Sequence, residues 1–197
     1  SKHKLLLQIG TDDHNLNIFK NISNYNNTIT QIGTEITHNT INKLYADSSI
    51  YFNTNGGYPG SGKYLSIADS SALDIGTNSF TIEFWVKINN PSGTTWQSFF
   101  EFGTHNGSGV GGIGFWWHPG PHWYANLHIG THTTPDTGTY YSFDYQVLPW
   151  GQSNDWDKFY HIALVRNADA YDKSLKLYID GILITPNNGG TNGVYGE

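Results

Sequence analysis

SFTIEFWVKI, at Ser79–Ile88, alternates apolar and polar residues more strictly than any other stretch of the chain. One face would carry Phe80, Ile82, Phe84, Val86 and Ile88. The other would carry Thr81, Glu83, Trp85 and Lys87. A period of two over a whole strand predicts a β-strand with one side on a core and one side facing outward. The turn-forming residues NNPSG at 89–93 end it.

Shorter strands are predicted on both sides of this one. They are Thr28–Ile32, Ser49–Phe52, Tyr64–Ile67, Ser98–Gly103, Ile113–Trp117, Trp123–Ile129, Tyr141–Val147 and Phe159–Arg166. Leu175–Thr185 predicts a hairpin, because Asp180-Gly181 is a sequence that type I′ turns favour. No helical period longer than two turns occurs. We expect a core made of Phe80, Ile82, Phe84, Val86, Ala163, Val165, Leu175, Leu177 and Ile179.

Composition supports an all-β chain and excludes several classes of partner. Charged residues are only 13% of the chain, while 15% are aromatic and 23 are glycine, which is typical of strands joined by many turns. The net charge of −6, without a basic patch, argues against nucleic acid, and no apolar run is long enough for membrane insertion. The absence of cysteine excludes disulfides, zinc–thiolate sites and thiol catalysis.

Four stretches together resemble the concanavalin A-like lectin/glucanase superfamily in its laminin G-like form, as found in phage tail and capsid-surface proteins. They are KLLLQIG with FKNISNYNNTITQIG, SSIYFN with KYLSIADSSALDIG, SFTIEFWVK, and WDKFYHIALVRN with LKLYIDGILI. The resemblance covers essentially the whole chain. It implies an antiparallel β-sandwich of jelly-roll type and a single domain over residues 1–197.

Two departures from the family pattern affect this expectation. Asn21 stands where such modules often have Asp, and only PNNGGTNGVYGE follows the last hairpin, where the family has further strands. We therefore expect a sandwich that lacks its last strands and has an open strand position. A later segment of a longer polypeptide, a neighbouring subunit or the early run Leu5–Ile9 could fill it.

The superfamily includes glucanases, whose catalysis needs two carboxylates on one face of a strand, about 5 Å apart. The best strand offers only Glu83, and Glu101 stands alone in FFEFG. Glu83 is interpreted as an acceptor on the sheet surface. The chain is therefore predicted not to be an enzyme.

Aromatic residues around the turn HPGPH give the sharpest binding hypothesis, because flat rings stack on the apolar faces of sugars. The candidate carbohydrate-binding residues are Trp117, His118, His122, Trp123, Trp150 and Trp156. The alternative for each ring is a place in the core. Trp116 and Trp117 are adjacent on a strand and must point to opposite faces, so at least one is expected to be buried.

No cofactor is required by this interpretation, although a structural calcium stays open. Calcium takes several oxygen ligands, which Asn21, Asp155 and Asp157 could supply. The alternative is that these residues only form turns. Histidines 118, 122, 128 and 132 could suggest a metal site, but no carboxylate converges on them by sequence. Tyr124, Asn126 and His128 share one face of a strand, so His128 is interpreted as a hydrogen-bonded residue of the sheet.

These observations predict a non-catalytic adhesion or carbohydrate-recognition module displayed on a virion or another extracellular assembly. The alternative is a structural decoration or assembly domain that binds no sugar. The expected partner is a glycan or a protein surface, with self-association or attachment to a larger polypeptide or assembly.

Overall fold

The computed structural model describes the strands and many of the turns between them. It covers residues 25, 27–45, 47–53, 63–68, 71, 73, 78–88, 97–102, 112–118, 124–130, 139–144, 158–167 and 175–185. Every regular element within these ranges is a β-strand, as the alternating sequence pattern predicts. In the same ranges no helix has the length and apolar character needed to span a membrane.

The chain divides into two compact units, Ser1–Gly76 and Thr77–Glu197. The first unit contains β1 (Ile29–Ile32), β2 (Ile36–Asn39), β3 (Ser49–Phe52) and β4 (Tyr64–Ile67). β1 pairs with β4 and β2 pairs with β3, both antiparallel. The side chain of Asn39 accepts hydrogen bonds from the backbone N–H groups of Ile41 and Asn42, which shapes the start of the loop between β2 and β3.

The second unit contains two antiparallel four-stranded sheets, ordered β12-β11-β10-β5 and β6-β7-β8-β9. Their strands are β5 (Phe80–Lys87), β6 (Gln97–Phe102), β7 (Gly112–His118), β8 (Tyr124–Gly130), β9 (Thr139–Asp144), β10 (Phe159–Arg166), β11 (Leu175–Ile179) and β12 (Ile182–Ile184). β6 carries an irregularity between Ser98 and Phe100, where its register against β7 shifts.

Aromatic side chains from the two sheets meet in the core of this unit. Phe84 of β5 lies 5.8 Å from Phe99 and 6.1 Å from Phe100, measured between ring centroids. Phe99 in turn stacks on Phe115 at 5.0 Å. The buried cluster joins both sheets and consists of Ile88, Phe115, Tyr160, Ile162, Leu164, Leu177 and Ile179. Two antiparallel sheets packed over one core confirm the predicted β-sandwich.

The core-facing residues of β10 differ from those expected. Tyr160, Ile162 and Leu164 are each 1% exposed or less and lie opposite Val86, Phe84 and Ile82 of β5. Ala163 and Val165 therefore lie on the opposite face of the sheet, where Ala163 is buried as expected, at 8% exposed, while Val165 is only half-buried. FYHIALVR is apolar in both alternating sets, so only the pairing with β5 shows which set faces the core.

The hairpin between β11 and β12 is confirmed. Asp180 has a φ of 49° and Gly181 a φ of 79°, the two left-handed residues that a type I′ turn requires. β2 was not predicted, because ITHN is short and contains a single apolar residue. The single domain over 1–197 and the open strand position stay predictions.

Candidate functional site

The sheet β12-β11-β10-β5 has one face on the core, and we call its opposite side the outer face. Its central part carries Glu83, Trp85, His161, Ala163 and Tyr178. Trp85 is the Cα partner of His161, and Glu83 is the Cα partner of Ala163. Ala163 is in turn the partner of Tyr178 on β11. Since side chains alternate along a strand, these five residues project on the same side of the sheet.

Trp85 is a large aromatic side chain in the middle of a strand, yet it is 43% exposed. Its ring contacts the imidazole of His161, with centroids 5.0 Å apart and the planes tilted by 44°. A direct cross-strand pair of rings limits the rotamers of both side chains and stabilises the sheet by about 0.2–1 kcal/mol. The indole is therefore held in a defined orientation while much of its surface faces solvent.

Glu83 and His161 place polar atoms next to the indole. Oε2 of Glu83 lies 3.5 Å from Nε2 of His161, with side-chain exposures of 58% and 26% respectively. This distance is long for a hydrogen bond, and the contact is an ion pair only when the imidazole is protonated. The carboxylate accepts hydrogen bonds and the imidazole donates or accepts them, so a ligand with hydroxyl groups would find both kinds of partner here.

The small side chain of Ala163 separates Glu83 from Tyr178 in one cross-strand row. Two strand spacings put the Cα atoms of Glu83 and Tyr178 about 10 Å apart. The carboxylate of Glu83 and the phenol of Tyr178 therefore lie on either side of the methyl group of Ala163. Together with Trp85 it forms a surface with an aromatic platform and polar groups at its margin.

The backbone of His161 is fixed by the turn that follows β11. The N–H of His161 donates to Oδ1 of Asp180 at 2.8 Å. The N–H of Asp180 donates to the carbonyl of His161 at 2.9 Å. The two bonds close a ring between β10 and the first residue of the turn.

Of the residues predicted from the sequence to bind carbohydrate, two lie on described strands. Trp117 and His118 belong to β7, where they are Cα partners of Ala125 and Tyr124 in β8. They lie in the sheet that does not carry the outer face. The others, His122, Trp123, Trp150 and Trp156, lie outside the described residues.

The predicted calcium ligands Asn21, Asp155 and Asp157 also lie outside the described residues, so the calcium site stays a prediction. Within the described ranges, no three His, Asp or Glu side chains come together to hold a metal ion.

The alternation along β5 predicted that Trp85 and Glu83 lie on one face of the sheet. No local sequence pattern marked these two residues as a binding site. His161 lies on a strand far along the chain and meets them only through the β5–β10 pairing. The signal that could have pointed to the site is a tryptophan at an outward position of a strictly alternating strand, where small or polar residues are usual.

Comparison with known proteins agrees with the sandwich. A family model described as the concanavalin A-like lectin/glucanases superfamily, of laminin G-like type, matches residues 59–195. No curated protein and no solved structure gives a significant match. Domains of this kind are typically non-catalytic modules that bind glycans or proteins. The match covers well over half of the chain, and the chain therefore belongs to the concanavalin A-like lectin/glucanases superfamily.

Proposed function

We propose that this protein is a non-catalytic glycan-binding module and that the outer face is its binding surface. The observation that carries the proposal is the exposed indole of Trp85, ordered by its contact with His161 and flanked by Glu83. Display on a virion or another extracellular surface is part of the proposal. It is supported by the resemblance of the sequence motifs to phage surface modules.

The chemistry of sugars fits this surface. A pyranose has one face of C–H groups that packs on a flat ring and a rim of hydroxyl groups that both donate and accept hydrogen bonds. Trp85 supplies the ring, while Glu83 and His161 supply the polar partners at its edge. The contact with His161 restricts the rotamers of the indole before a ligand arrives, which lowers the entropic cost of binding.

Hydrolysis of the bound sugar is not part of the proposal. Glycosidases of this type place an acid and a nucleophile on one strand face. β5 contains a single carboxylate, Glu83, and its neighbours on the outer face are Thr81 and Trp85. The remaining carboxylate near the cluster, Asp180, is engaged with the backbone N–H of His161.

The test is a glycan array followed by calorimetric titration of the best-bound sugars with wild type and Trp85→Ala. We expect the substitution to weaken binding by roughly tenfold, since one aromatic contact contributes about 0.5–1.5 kcal/mol beyond its buried area. Tyr64→Ala is the matched control, because Tyr64 is also an exposed strand aromatic, 51% accessible, but belongs to the other unit. Tyr64→Ala should bind as wild type does.

The outcome that would contradict the proposed surface is full binding by Trp85→Ala. If Trp123→Ala then abolished binding while melting near wild type, the site would lie around HPGPH, as the sequence analysis predicted. A chain that binds no glycan, with or without these substitutions, would favour the assembly role instead.

The assembly role has an observation of its own. β12 is the terminal strand of its sheet among the described strands, and Ile182 and Leu183 are 67% and 50% exposed there. An edge strand with exposed apolar side chains is a place where another chain can add a strand.

A further inference from the structure

We infer that Asp180 is a positioning residue of the outer face, because it holds the backbone of His161 where the imidazole contacts Trp85. The inference rests on the proposed glycan-binding function, but its geometry can be tested without a ligand. Asp180 lies at a turn and bonds to the backbone of His161, so it would act through His161.

The turn geometry explains why a side chain, and not a backbone carbonyl, accepts the N–H of His161. In a regular antiparallel pair, residues 161 and 180 would exchange two backbone hydrogen bonds, N–H to carbonyl in each direction. One of them is present, from the N–H of Asp180 to the carbonyl of His161. Asp180 has a φ of 49°, as the turn requires, and its carboxylate oxygen accepts the N–H of His161 in the second bond.

Asp180 thereby extends the β10–β11 ladder by one position beyond Ile179, the last residue of β11. On its other side His161 lies opposite Trp85 of β5 in a non-hydrogen-bonded pair, in which the two side chains come close together. A hydrogen bond from a backbone N–H to a carboxylate is stronger than one to a neutral carbonyl. The bonds to Asp180 are therefore the only hydrogen bonds that the backbone groups of His161 make in this ladder, and they favour a single orientation of the imidazole against the indole.

Two substitutions of Asp180 distinguish its hydrogen bond to the N–H of His161 from the positive φ that the turn requires at this position. Asp180→Asn and Asp180→Gly both tolerate a positive φ, and Asn-Gly and Gly-Gly are both accepted in type I′ turns. Only asparagine keeps a side-chain oxygen that can accept the N–H of His161. Asp180→Asn is thus expected to keep the hydrogen bond to the N–H of His161, and Asp180→Gly is expected to lose it.

The first readout is the ring-current shift that the indole of Trp85 imposes on the ring protons of His161 in the NMR spectrum. His161→Gln and Trp85→Phe assign the signals. We expect the shift to persist in Asp180→Asn and to shrink in Asp180→Gly, while the core resonances of Leu177 stay unchanged. An unchanged shift in Asp180→Gly would overturn the inference.

Hydrogen exchange on the unmodified protein gives a second readout that does not depend on the variants folding. The N–H of His161 should exchange at least about tenfold more slowly than an exposed backbone N–H, as expected for an amide held in a ladder. Exchange at the rate of an exposed amide would also overturn the inference.

The binding readout uses methyl glycosides of glucose, galactose and mannose together with lactose and cellobiose. Asp180→Gly should weaken binding of whichever sugar the wild type takes by several-fold, and Asp180→Asn should bind within about twofold of wild type. If no sugar binds, the proposed function fails while the ring-current and exchange results still decide the role of Asp180.

Discussion

Glu83 places one negative charge beside the imidazole of His161, which contacts the indole of Trp85. An anionic sugar, such as a uronic acid or a sulfated glycan, would bring a second negative charge close to it. Two charges about 4 Å apart in water interact by about 1 kcal/mol, and salt weakens this further. We predict that Glu83→Gln raises the affinity for anionic glycans relative to neutral ones by about threefold to fivefold at low salt.

Titration of one neutral and one anionic glycan at low and high salt measures this effect. Glu101→Gln is the control, because Glu101 is also exposed but lies on β6, in the other sheet. The gain for the anionic glycan should disappear at high salt and should be absent in Glu101→Gln. Equal gains in both variants would show that only net charge matters and that Glu83 does not face the ligand.

At the scale of the element, the β11–β12 hairpin contains two leucines in contrasting surroundings. Leu177 is 2% exposed and pairs with Leu164 and Ile184, whereas Leu183 is 50% exposed. We predict that Leu177→Ala lowers the free energy of unfolding by about 2–5 kcal/mol, because it leaves a cavity in the core. Leu183→Ala removes the same atoms from a partly solvated site and should cost less than about 1 kcal/mol.

Urea denaturation of the two variants checks this prediction. If both substitutions lowered the free energy of unfolding by similar amounts, the side of β12 that carries Leu183 would be covered in solution. Such a result would support an added strand at this edge.

The strands also show which parts of the fold can be predicted from local sequence patterns and which cannot. β5 was predictable because its core-facing residues Phe80, Ile82, Phe84 and Val86 recur at every second position. The hairpin was predictable because Asp-Gly suits only a few turn types. The buried face of β10 was not predictable, since Phe159–Arg166 offers an apolar set in either phase. Its pairing with β5 decides the phase, and pairing is a property of two distant segments.

The same limit applies to the candidate site. Alternation placed Trp85 on the outward side of β5, but its partner His161 cannot be read from a local pattern. The position of Asp180 depends on a further strand pairing. Sequence reasoning therefore favoured adjacent aromatics around HPGPH, where proximity in the chain guarantees proximity in space.

For the assembled protein, the exposed edge of β12 predicts self-association. Ile182 is 67% exposed on a terminal strand of the described sheet, and an edge with exposed apolar side chains is a template for pairing with another chain. Light scattering after size exclusion should show masses above the 22.0 kDa of one chain that rise with concentration. Ile182→Lys should move the mass toward one chain, because a charge at an edge opposes pairing.

Thr30→Lys is the control, since it adds the same charge at an exposed position of β1 in the other unit. It should leave the mass as in wild type. A cooperative monomer of 22.0 kDa for wild type at every concentration would refute both this prediction and the open strand position expected from the sequence.

The pairing of β5 with β10 also has a consequence for the time course of folding. About 75 residues lie between the two partners, and such distant pairing makes β-sandwiches fold in milliseconds to seconds. A ribosome that adds roughly 5–20 residues per second would release β5 about 4–15 s before its partner emerges. During that interval the apolar side of Phe80–Val86 has no β10 to pair with, so the yield of native protein should depend on chaperones and on the rate of synthesis.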